Sequence, residues 1–450
     1  MYCRLLSQEV IVINSEKVAR DLLDKRSSNY SDRPFLITTD IFGWTFNFGF
    51  LRYGSTWRQH RRLLQEKLRP AAALSYRPTQ LHKTHQLLLD IFEMPDEFAH
   101  HIQTMATSAI MSIVYGYETE RWHDTLVATI EHALVQGVQV ASLETSAILS
   151  AFPFLLYLPS WFPGAGIKRR AHECYEMFAE MVEKPFQYTK ALVDSGNASA
   201  CIVTDLLVRV KDEENYDELE KVIKSVASTS VAGAAETTTS TLLNFVLAMV
   251  LFPHVQERAH AEIESIVGND RLPNFNDRDA LPYVEAVLRE SHRWYPVLPL
   301  GIAHAAVDDD IYEELYIPKG ATVVPNVWAM SRNEAKYPNA SEFVPERFFK
   351  SDGKLNDDAI SYVFGFGRRV CAGQHVANAA VWIAIVSLLA VFKFTKATDN
   401  QGKEITIEPQ WTPGLAIRPR AFPCRIEPRL PGMTIAKLNQ MISLLACYQV

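Results

Sequence analysis

A cysteine in a glycine-rich turn is the feature of this sequence best suited to chemistry. Cys371 lies in the segment FGFGRRVCAG at positions 364–373, and an apolar run follows it from Val376 to Phe392. That run predicts a buried helix. A thiol just before a helix N-terminus is stabilised as the thiolate by free backbone N–H groups and by the helix dipole. The pattern therefore indicates a sulfur atom that can bind a metal.

The loop around this cysteine is suited to lie against a large, flat ligand. It begins at Phe364 and contains three glycines within ten residues, the last of them Gly373. Glycine lets a backbone approach a ligand closely. Arg369 precedes the cysteine by two residues and can neutralise an anionic group of the same ligand. An inert, buried cysteine in a turn is the alternative.

A second group of reactive side chains lies in the longest predicted helix, from about Tyr216 to Leu251. Its middle contains Glu236 and Thr237, and Thr237 begins a run of three threonines. Threonine is a poor helix former, so an interior run of this kind calls for an explanation. One explanation is that the hydroxyls take part in a reaction. The other is that they donate hydrogen bonds to helix carbonyls inside an ordinary core.

Two short spacings place further polar side chains on common helix faces. Trp57 and Arg61 are four residues apart, so both can reach one carboxylate from the same face. A surface stack of tryptophan on arginine is the alternative. Glu290 and Arg293 form an i,i+3 pair, which in isolation contributes about 0.5 kcal/mol or less.

Together these segments resemble the cytochrome P450 family of haem-thiolate monooxygenases. The family's FxxGxRxCxG pattern is matched at every fixed position between 364 and 373. The resemblance implies that Cys371 is the axial thiolate ligand of haem b and that Phe364, Arg369 and Gly373 belong to the haem-binding loop. A thiolate supplies the electron donation that oxygen cleavage at iron requires.

The resemblance also assigns roles to the other segments. Trp57 and Arg61 are similar to a motif that contacts a haem propionate. His304 falls where the family often has a propionate-binding histidine, although Ala303 replaces the common proline before it. The segment 232–238 resembles the (A/G)GxxT region, with Ala234 where relatives often have glycine. The resemblance implies that the helix opens into an oxygen groove there, where Glu236 and Thr237 deliver protons.

A structural triad is the last element that the resemblance implies. Glu290 and Arg293 are similar to the family's ExxR pair, and Arg347 lies in a PERF segment at 345–348. The three side chains are expected to form a buried charge cluster that holds the haem-side loop, because each buried charge needs its partners to offset desolvation.

The pattern of elements predicts a mainly α fold with a small β portion, that is, the cytochrome P450 fold with haem between the long helix and the cysteine loop. We expect one catalytic domain over residues 1–450. The β-rich lobe is expected at about 1–50, 300–330 and 395–428, with a helical body elsewhere, and the tail at 429–450 has no counterpart in the resemblance. Strands are predicted at 10–13, 311–312, 315–317 and 322–324, and helices from Pro253 and over 281–294.

Composition excludes several classes of protein. The chain has 450 residues, 48% of them hydrophobic, and a net charge of −7, which disfavours disorder and nucleic-acid binding as the main role. Six widely separated cysteines predict no disulfide framework, so the chain is expected to be intracellular. The histidine pairs 82/85 and 100/101 are predicted to lie at the surface, and the apolar stretch 147–158 in the core, or on a membrane if it is exposed.

The expected function is insertion of one oxygen atom of O2 into an apolar small molecule, in secondary or xenobiotic metabolism. Electrons would come from NADPH through a flavoprotein reductase. The reductase would dock near a basic stretch, which as an alternative is a solvated helix face. This stretch contains Arg52, Arg58, Arg61, Arg62, Lys67 and Arg69. The regions expected to touch the substrate are 42–48, 230–233, 297–298 and 412–415. A non-oxygenating isomerase or dehydratase and an inactive haem-binding remnant are the alternatives.

The N-terminus leads to a separate expectation. Segments at 31–34, 365–369 and 411–428 most resemble fungal microsomal members, which begin with a membrane helix and a proline-rich hinge. This sequence starts near the first predicted strand and has neither the membrane helix nor the hinge. We therefore expect an N-terminally truncated member without an anchor and with incomplete strand pairing at its start. Full-length relatives are expected on the cytosolic face of the endoplasmic reticulum membrane.

Overall fold

Helices form most of the chain in the computed structural model, which describes residues 1–6, 8–140, 143–159, 161–163 and 165–447. The first helices are α1 (Glu16–Ala19), α2 (Ser27–Tyr30), α3 (Ile37–Ile41), α4 (Ser55–Leu68), α5 (Pro70–Ala73), α6 (Arg77–Glu93), α7 (Phe98–Tyr115), α8 (Thr125–Val140) and α9 (Leu143–Ala151). The later helices are α10 (Gly166–Asp194), α11 (Ile202–Val210), α12 (Tyr216–Leu251), α13 (Pro253–Ile266), α14 (Pro282–Trp294), α15 (Val327–Ser331), α16 (Gln374–Val391) and α17 (Ile435–Cys447).

Strands form a small β portion, which confirms the predicted α+β class. They are β1 (Tyr2–Leu5), β2 (Gln8–Ile13), β3 (His304–Ala305), β4 (Asp310–Tyr312), β5 (Leu315–Ile317), β6 (Thr322–Pro325), β7 (Phe392–Lys396) and β8 (Cys424–Pro428). One sheet has the order β1-β2-β6-β3, in which β2 and β6 run parallel, and β4-β5 and β7-β8 are antiparallel pairs. Because β2 is paired on both edges, the expectation of incomplete pairing at the N-terminus is wrong.

Among the described residues, two helices, α12 and α16, are long and apolar enough to cross a membrane by length and composition. In the most apolar stretch of each, 78% and 72% of the residues are buried inside the protein. Helices that are apolar on all sides and covered by other elements are core helices. This agrees with the prediction of a buried helix after Cys371, and the bounds predicted for α12 are confirmed.

The helices that carry the site residues converge on one apolar cluster. Trp57 and Leu68 of α4, Ala235 of α12 and Val376 of α16 belong to it, and Ala372, next to the cysteine, packs against it. Burial of these side chains therefore brings the long helix, the Trp57 helix and the cysteine loop against each other, although they are far apart in sequence.

Within 1–50 the strands end at residue 13, and short helices follow, in which Leu22 and Leu23 are buried. Two expectations about individual segments are wrong. His85 and His101 are buried rather than at the surface. The stretch 147–158 leaves large apolar side chains in solvent. The exposed side chains in and just after this stretch are Ile148, Phe152, Phe154, Tyr157, Trp161 and Phe162.

The tail of the chain is helical up to residue 447 and packs against the core. It forms α17, whose Leu438 and Met441 are buried in the core cluster that also contains Leu81 and Leu88 of α6. Spacing of three residues between these buried positions places them on one helix face. The tail helix is therefore held by burial of an apolar stripe.

Candidate haem and oxygen site

The cysteine loop is held by backbone contacts that only glycine allows. Gly367 has φ of +54°, and a β-carbon at this position would lie 2.1 Å from the carbonyl oxygen of Leu23. Its N–H donates to Asp24 Oδ1 at 2.5 Å. The N–H of Cys371 donates to the carbonyl of Phe364 at 2.7 Å and closes the loop. Gly367 therefore allows the loop to lie directly against the helical segment that contains Leu23 and Asp24.

Opposing influences act on the thiol of Cys371. The side chain has accessible surface, yet protein surrounds it closely on its other sides, and this burial raises the pKa of the thiol. Hydrogen bonds from the N–H groups of Gly373 and Gln374 and the positive charge of Arg61 lower that pKa. A bound metal cation adds a much stronger influence in the same direction, because a coordinating thiol is deprotonated.

Arg369 provides an unused donor beside the loop. Its Nε donates to the carbonyl of Ser31 at 2.8 Å and its Nη2 to that of Leu51 at 2.7 Å. Its Nη1 is buried without a hydrogen-bond partner in the described chain. Burial lowers the pKa of Arg369 to about 10, so the group stays cationic at neutral pH. A buried cationic donor without a partner is suited to an anionic ligand group.

Trp57 and Arg61 face the same place from α4. The guanidinium of Arg369 lies 4.4 Å from the ring centre of Trp57, which is 4% exposed. The charge of Arg61 acts on both Cys371 and Arg369. The structure thus brings together four side chains that the sequence analysis selected from two distant segments.

His304 is buried in β3 and joins this group. Its Nδ1 lies 2.7 Å from the carbonyl oxygen of Tyr30, and because a carbonyl only accepts, Nδ1 carries the proton. Burial and the charges of Arg33 and Arg369 hold the pKa of His304 well below its usual value. In the neutral ring Nε2 is an acceptor, so donation to a carboxylate from Nε2 requires a second proton.

Arg33 is a buried cation that sequence reasoning did not select. Its Nη1 donates to the carbonyls of Ile302 at 2.8 Å and Ala303 at 2.7 Å, and its Nε to that of Gly49 at 3.0 Å. Burial and the charge of Arg369 hold the pKa of Arg33 well below its usual value. An arginine between Asp and Pro in a turn-rich loop is the signal in the sequence, but it does not show which carbonyls the arginine will meet.

The middle of α12 is open where its two flanks are buried. Gly233 is exposed, and a β-carbon there would meet no atom within 4 Å. Thr237 Oγ1 donates to the Gly233 carbonyl at 2.7 Å, and Thr239 and Thr241 bond helix carbonyls in the same way. The helix is α-helical throughout, so the opening of the helix that the resemblance implies is absent from α12 in this structure.

Glu236 points towards an arginine from the C-terminal loop. Its Oε2 lies 3.7 Å from Nη1 of Arg418, and its side chain is 13% exposed. Burial raises the pKa of Glu236, and the charge of Arg418 acts against this shift. The result is a carboxyl that can hold a proton at higher pH than a surface glutamate.

The charge cluster around Glu290 joins α14 to the segment 331–347. Glu290 bonds Arg293 through both carboxylate oxygens, at 2.6 and 2.8 Å, and Oε1 also accepts from Arg347 Nε at 3.2 Å. Arg293 in turn donates to the carbonyls of Ser331, Ala340 and Glu342. The Glu290 and Arg293 side chains are 0% exposed and that of Arg347 is 7% exposed.

His292 connects this cluster to the cysteine loop. Its ring packs edge-on against Phe364 at 5.3 Å between centroids, and its Nε2 lies 3.1 Å from Asn378 Oδ1 of α16. Because α14 carries both His292 and the Glu290 pair, the charge cluster positions the helix that contacts the loop.

These residues fit a haem. A thiol precedes a helix N-terminus, a buried arginine that packs on Trp57 has a donor without a partner among the described residues, and the charge of Arg61 acts on the same thiol. The open stretch of α12 at 232–237 packs against the same apolar cluster as the loop. Carboxylates of the kind that haem carries are the ligand groups that this donor set matches.

Comparison with known proteins agrees with this geometry. The family model for cytochrome P450 matches residues 1–422. A cytochrome P450 monooxygenase from Armillaria gallica is 38% identical over 95% of this chain and 84% of its own length. Cytochrome P450 monooxygenase 136 from Postia placenta is 37% identical over 98% of this chain and 84% of its own length. Tryptamine 4-monooxygenase from Psilocybe cyanescens is 35% identical over 95% of this chain and 85% of its own length. The chain belongs to the cytochrome P450 family, the haem-thiolate monooxygenases.

Proposed function

We propose that this cytochrome P450 binds haem b through Cys371 and inserts one oxygen atom of O2 into an unactivated position of an apolar small molecule. The observation that carries this proposal is Nη1 of buried Arg369, beside the thiol loop, which has no hydrogen-bond partner among the residues that the structure describes. Arg369, Arg61 and Trp57 would hold one or both propionates, with His304 as a further donor once it is protonated. The haem, when bound, supplies oxygen activation at a thiolate-ligated iron.

Glu236 and Thr237 of α12 would supply the protons that oxygen activation requires. The Thr237 hydroxyl can exchange its bond to the Gly233 carbonyl for one to water, and Glu236 can carry a proton because burial raises its pKa. The residues before Glu236 on this stretch, 232–235, are alanine and glycine and have no polar side chain. The chain's own residues thus hold water and pass protons at defined atoms.

The substrate class is an apolar ring compound or amphiphile of secondary metabolism. Aromatic side chains from the segment 42–48 pack against α12 just before its open stretch, where the carbonyl of Phe46 accepts from Ser225 and Thr229. Apolar lining with few hydroxyls favours ligands that shed water readily. One relative carries a name that specifies an indole amine as its substrate, which makes planar aromatic amines a useful first panel.

Electrons would come from NADPH through a flavoprotein reductase. Arg52, Arg58, Arg62, Arg69 and Arg368 are exposed near the cysteine loop. An acidic partner is steered by such a group of positive charges. Replacing Arg62 and Arg69 together by glutamate should slow reductase-dependent reduction and weaken its salt dependence, and an unchanged rate would contradict this docking face.

The exposed aromatic stretch, residues 152–162, supports contact with a membrane surface on the cytosolic face of the endoplasmic reticulum. Phe154, Tyr157 and Trp161 are 59%, 84% and 80% exposed. Aromatic and apolar side chains of this kind partition into the bilayer interface. Replacing all three by serine should reduce cosedimentation with phosphatidylcholine vesicles, whereas serine at exposed Leu315 and Tyr316 of the β4-β5 pair should leave it unchanged.

The central experiment is the ferrous carbon-monoxide difference spectrum of the purified protein. A thiolate-type Soret band is expected, and Cys371→Ala should abolish it. Cys424→Ala in β8 is the matched control and should retain the band. An imidazole-type band in the unmodified protein would overturn the assignment. A ligand screen that detects displacement of the iron-bound water would then identify the substrate class.

A further inference from the structure

The charge of one arginine, Arg418, acts on two partly buried acids that come from different helices. Arg418, in the loop before β8, approaches Glu236 of α12 at 3.7 Å between Nη1 and Oε2. The same Nη1 donates to Gln103 Oε1 of α7 at 3.2 Å. The N–H of Arg418 is fixed by Thr412 Oγ1 at 3.1 Å. The guanidinium is therefore anchored between α12 and α7 and is only partly open to solvent.

The second acid is Glu131 of α8. Its Oε1 accepts from Thr107 Oγ1 of α7 at 3.3 Å, and that hydroxyl also lies 3.0 Å from the Gln103 carbonyl. Burial raises the pKa of Glu131 to about 7, while Thr107, Gln103 and Arg418 lower it and the charge of Glu236 raises it. Gln103 is thus shared: its amide oxygen contacts the arginine and its side chain acts on Glu131.

The charges around Glu131 can be assigned element by element. Arg418 comes from the C-terminal loop and Glu236 from α12, while α7 contributes the uncharged Gln103 and Thr107. The buried face of α10, which packs beside α8, carries Cys174 as its titratable group. Burial raises the pKa of the Cys174 thiol, so that group is neutral. One cation therefore faces two carboxyl groups.

A single cation in a poorly solvated site compensates one negative charge and not two. When Glu131 is ionised, it competes for the charge of Arg418, and the protonated form of Glu236 is favoured. When Glu131 is neutral, Arg418 is free to stabilise the Glu236 carboxylate. Each carboxyl therefore sets the proton affinity of the other, and by linkage the two effects are equal.

We propose that Glu131 and Glu236 retain one proton between them across Arg418, and that Glu131 is a positioning residue that sets the protonation of Glu236. This inference rests on the proton-supplying role proposed above for Glu236. It adds a role for an acid on α8, outside the segments that the sequence analysis selected. The functional consequence is that Glu236 holds its proton at higher pH than an isolated glutamate does.

The test is an infrared titration of buried carboxyl groups in the haem-loaded protein between pH 5 and 9. In Glu131→Gln the signal of the other carboxyl group, Glu236, should titrate about one pH unit lower than in the unmodified protein. A coupling of about one pH unit is the strength at which paired sites titrate together. Glu236→Gln should shift the Glu131 signal downward by an equal amount. Arg418→Gln should shift both upward. Glu173→Gln, an exposed acid on α10, is the control and should shift neither.

The product formed per NADPH consumed gives the second readout. In Glu131→Gln the fall of coupling with rising pH should begin about one pH unit lower than in the unmodified protein. If Glu131→Gln leaves the Glu236 signal unmoved, the shared proton is refuted even when Glu236→Gln still uncouples turnover. If the reciprocal shifts occur but Glu236→Gln leaves coupling intact, the shared proton stands and the proton-supplying role fails.

Discussion

The guanidinium of Arg369 lies 4.4 Å from the ring centre of Trp57, and the two residues are 312 positions apart in sequence. The contact places a cation over an aromatic face and leaves one donor of that cation free inside the protein. Ring and carbonyl contacts fix the guanidinium in advance, so a carboxylate that arrives meets a donor that needs no rearrangement.

Arg369→Gln should weaken haem retention, because it removes both the charge and the free donor. A charge-assisted hydrogen bond is worth about 2 kcal/mol, so haem transfer to excess apomyoglobin should become faster by on the order of ten-fold or more. Arg62→Gln, an exposed arginine on α4, is the control. Equal transfer rates for the two variants would contradict the assignment of Arg369 to a propionate.

The charge cluster at Glu290 predicts a large loss of stability. Glu290→Gln leaves Arg293 buried without a carboxylate and should lower the free energy of unfolding by about 3–5 kcal/mol. Glu285→Gln on the same helix breaks an ion pair with Arg278 whose side chains are 20% and 24% exposed, and should cost about 1 kcal/mol or less. Urea unfolding followed by circular dichroism measures the free energy of unfolding of both variants. Similar losses in the two variants would show that burial of the cluster does not determine its contribution to stability.

Buried histidines predict how stability depends on pH. Burial lowers the pKa of His85 to about 4, below the value of about 6.5 in an unfolded chain. The folded state then binds fewer protons, so stability is fully present above pH 6.5 and is lost as the pH falls from 6.5 towards 4. His85→Gln should flatten this loss by on the order of 1 kcal/mol per pH unit.

The urea midpoint measured at pH 7, 6 and 5 checks this expectation. His100→Gln is the matched control, since His100 lies at an exposed position of α7 while His85 is buried in α6. If both variants lose stability with acid as steeply as the unmodified protein, His85 does not contribute to the acid sensitivity.

Local sequence signals predicted the elements well where one residue type has a direct structural consequence. Prolines mark the starts of α13 and α14, and continuous apolar character marks α12 and α16. The strands β4, β5 and β6 follow the predicted runs closely. Family motifs selected Trp57, Arg369 and Cys371 before their proximity was known.

Contacts between distant segments could not be predicted in this way. Arg33 donates to carbonyls about 270 positions away in sequence. Arg418 donates to Gln103, from which it is 315 positions apart. Such contacts depend on how helices pack, and a sequence pattern reports only the period of each helix. The exposed aromatic stretch was misjudged for a related reason, because apolar character predicts burial without saying whether a neighbouring element covers it.

Thr237 provides the last prediction, which concerns chemistry and not folding. Its hydroxyl bonds the Gly233 carbonyl at 2.7 Å beside an exposed stretch of α12. Thr237→Ala should leave the ferrous carbon-monoxide band and the helix intact, because alanine favours the helix. Loss of the hydroxyl should lower the product formed per NADPH by about ten-fold or more, with hydrogen peroxide released in place of product, since a positioned proton donor contributes 10²–10⁴-fold. Thr237→Ser keeps the hydroxyl and should restore most of the coupling. Unchanged coupling in Thr237→Ala would assign the hydroxyl to helix bonding alone, as in Thr239 and Thr241.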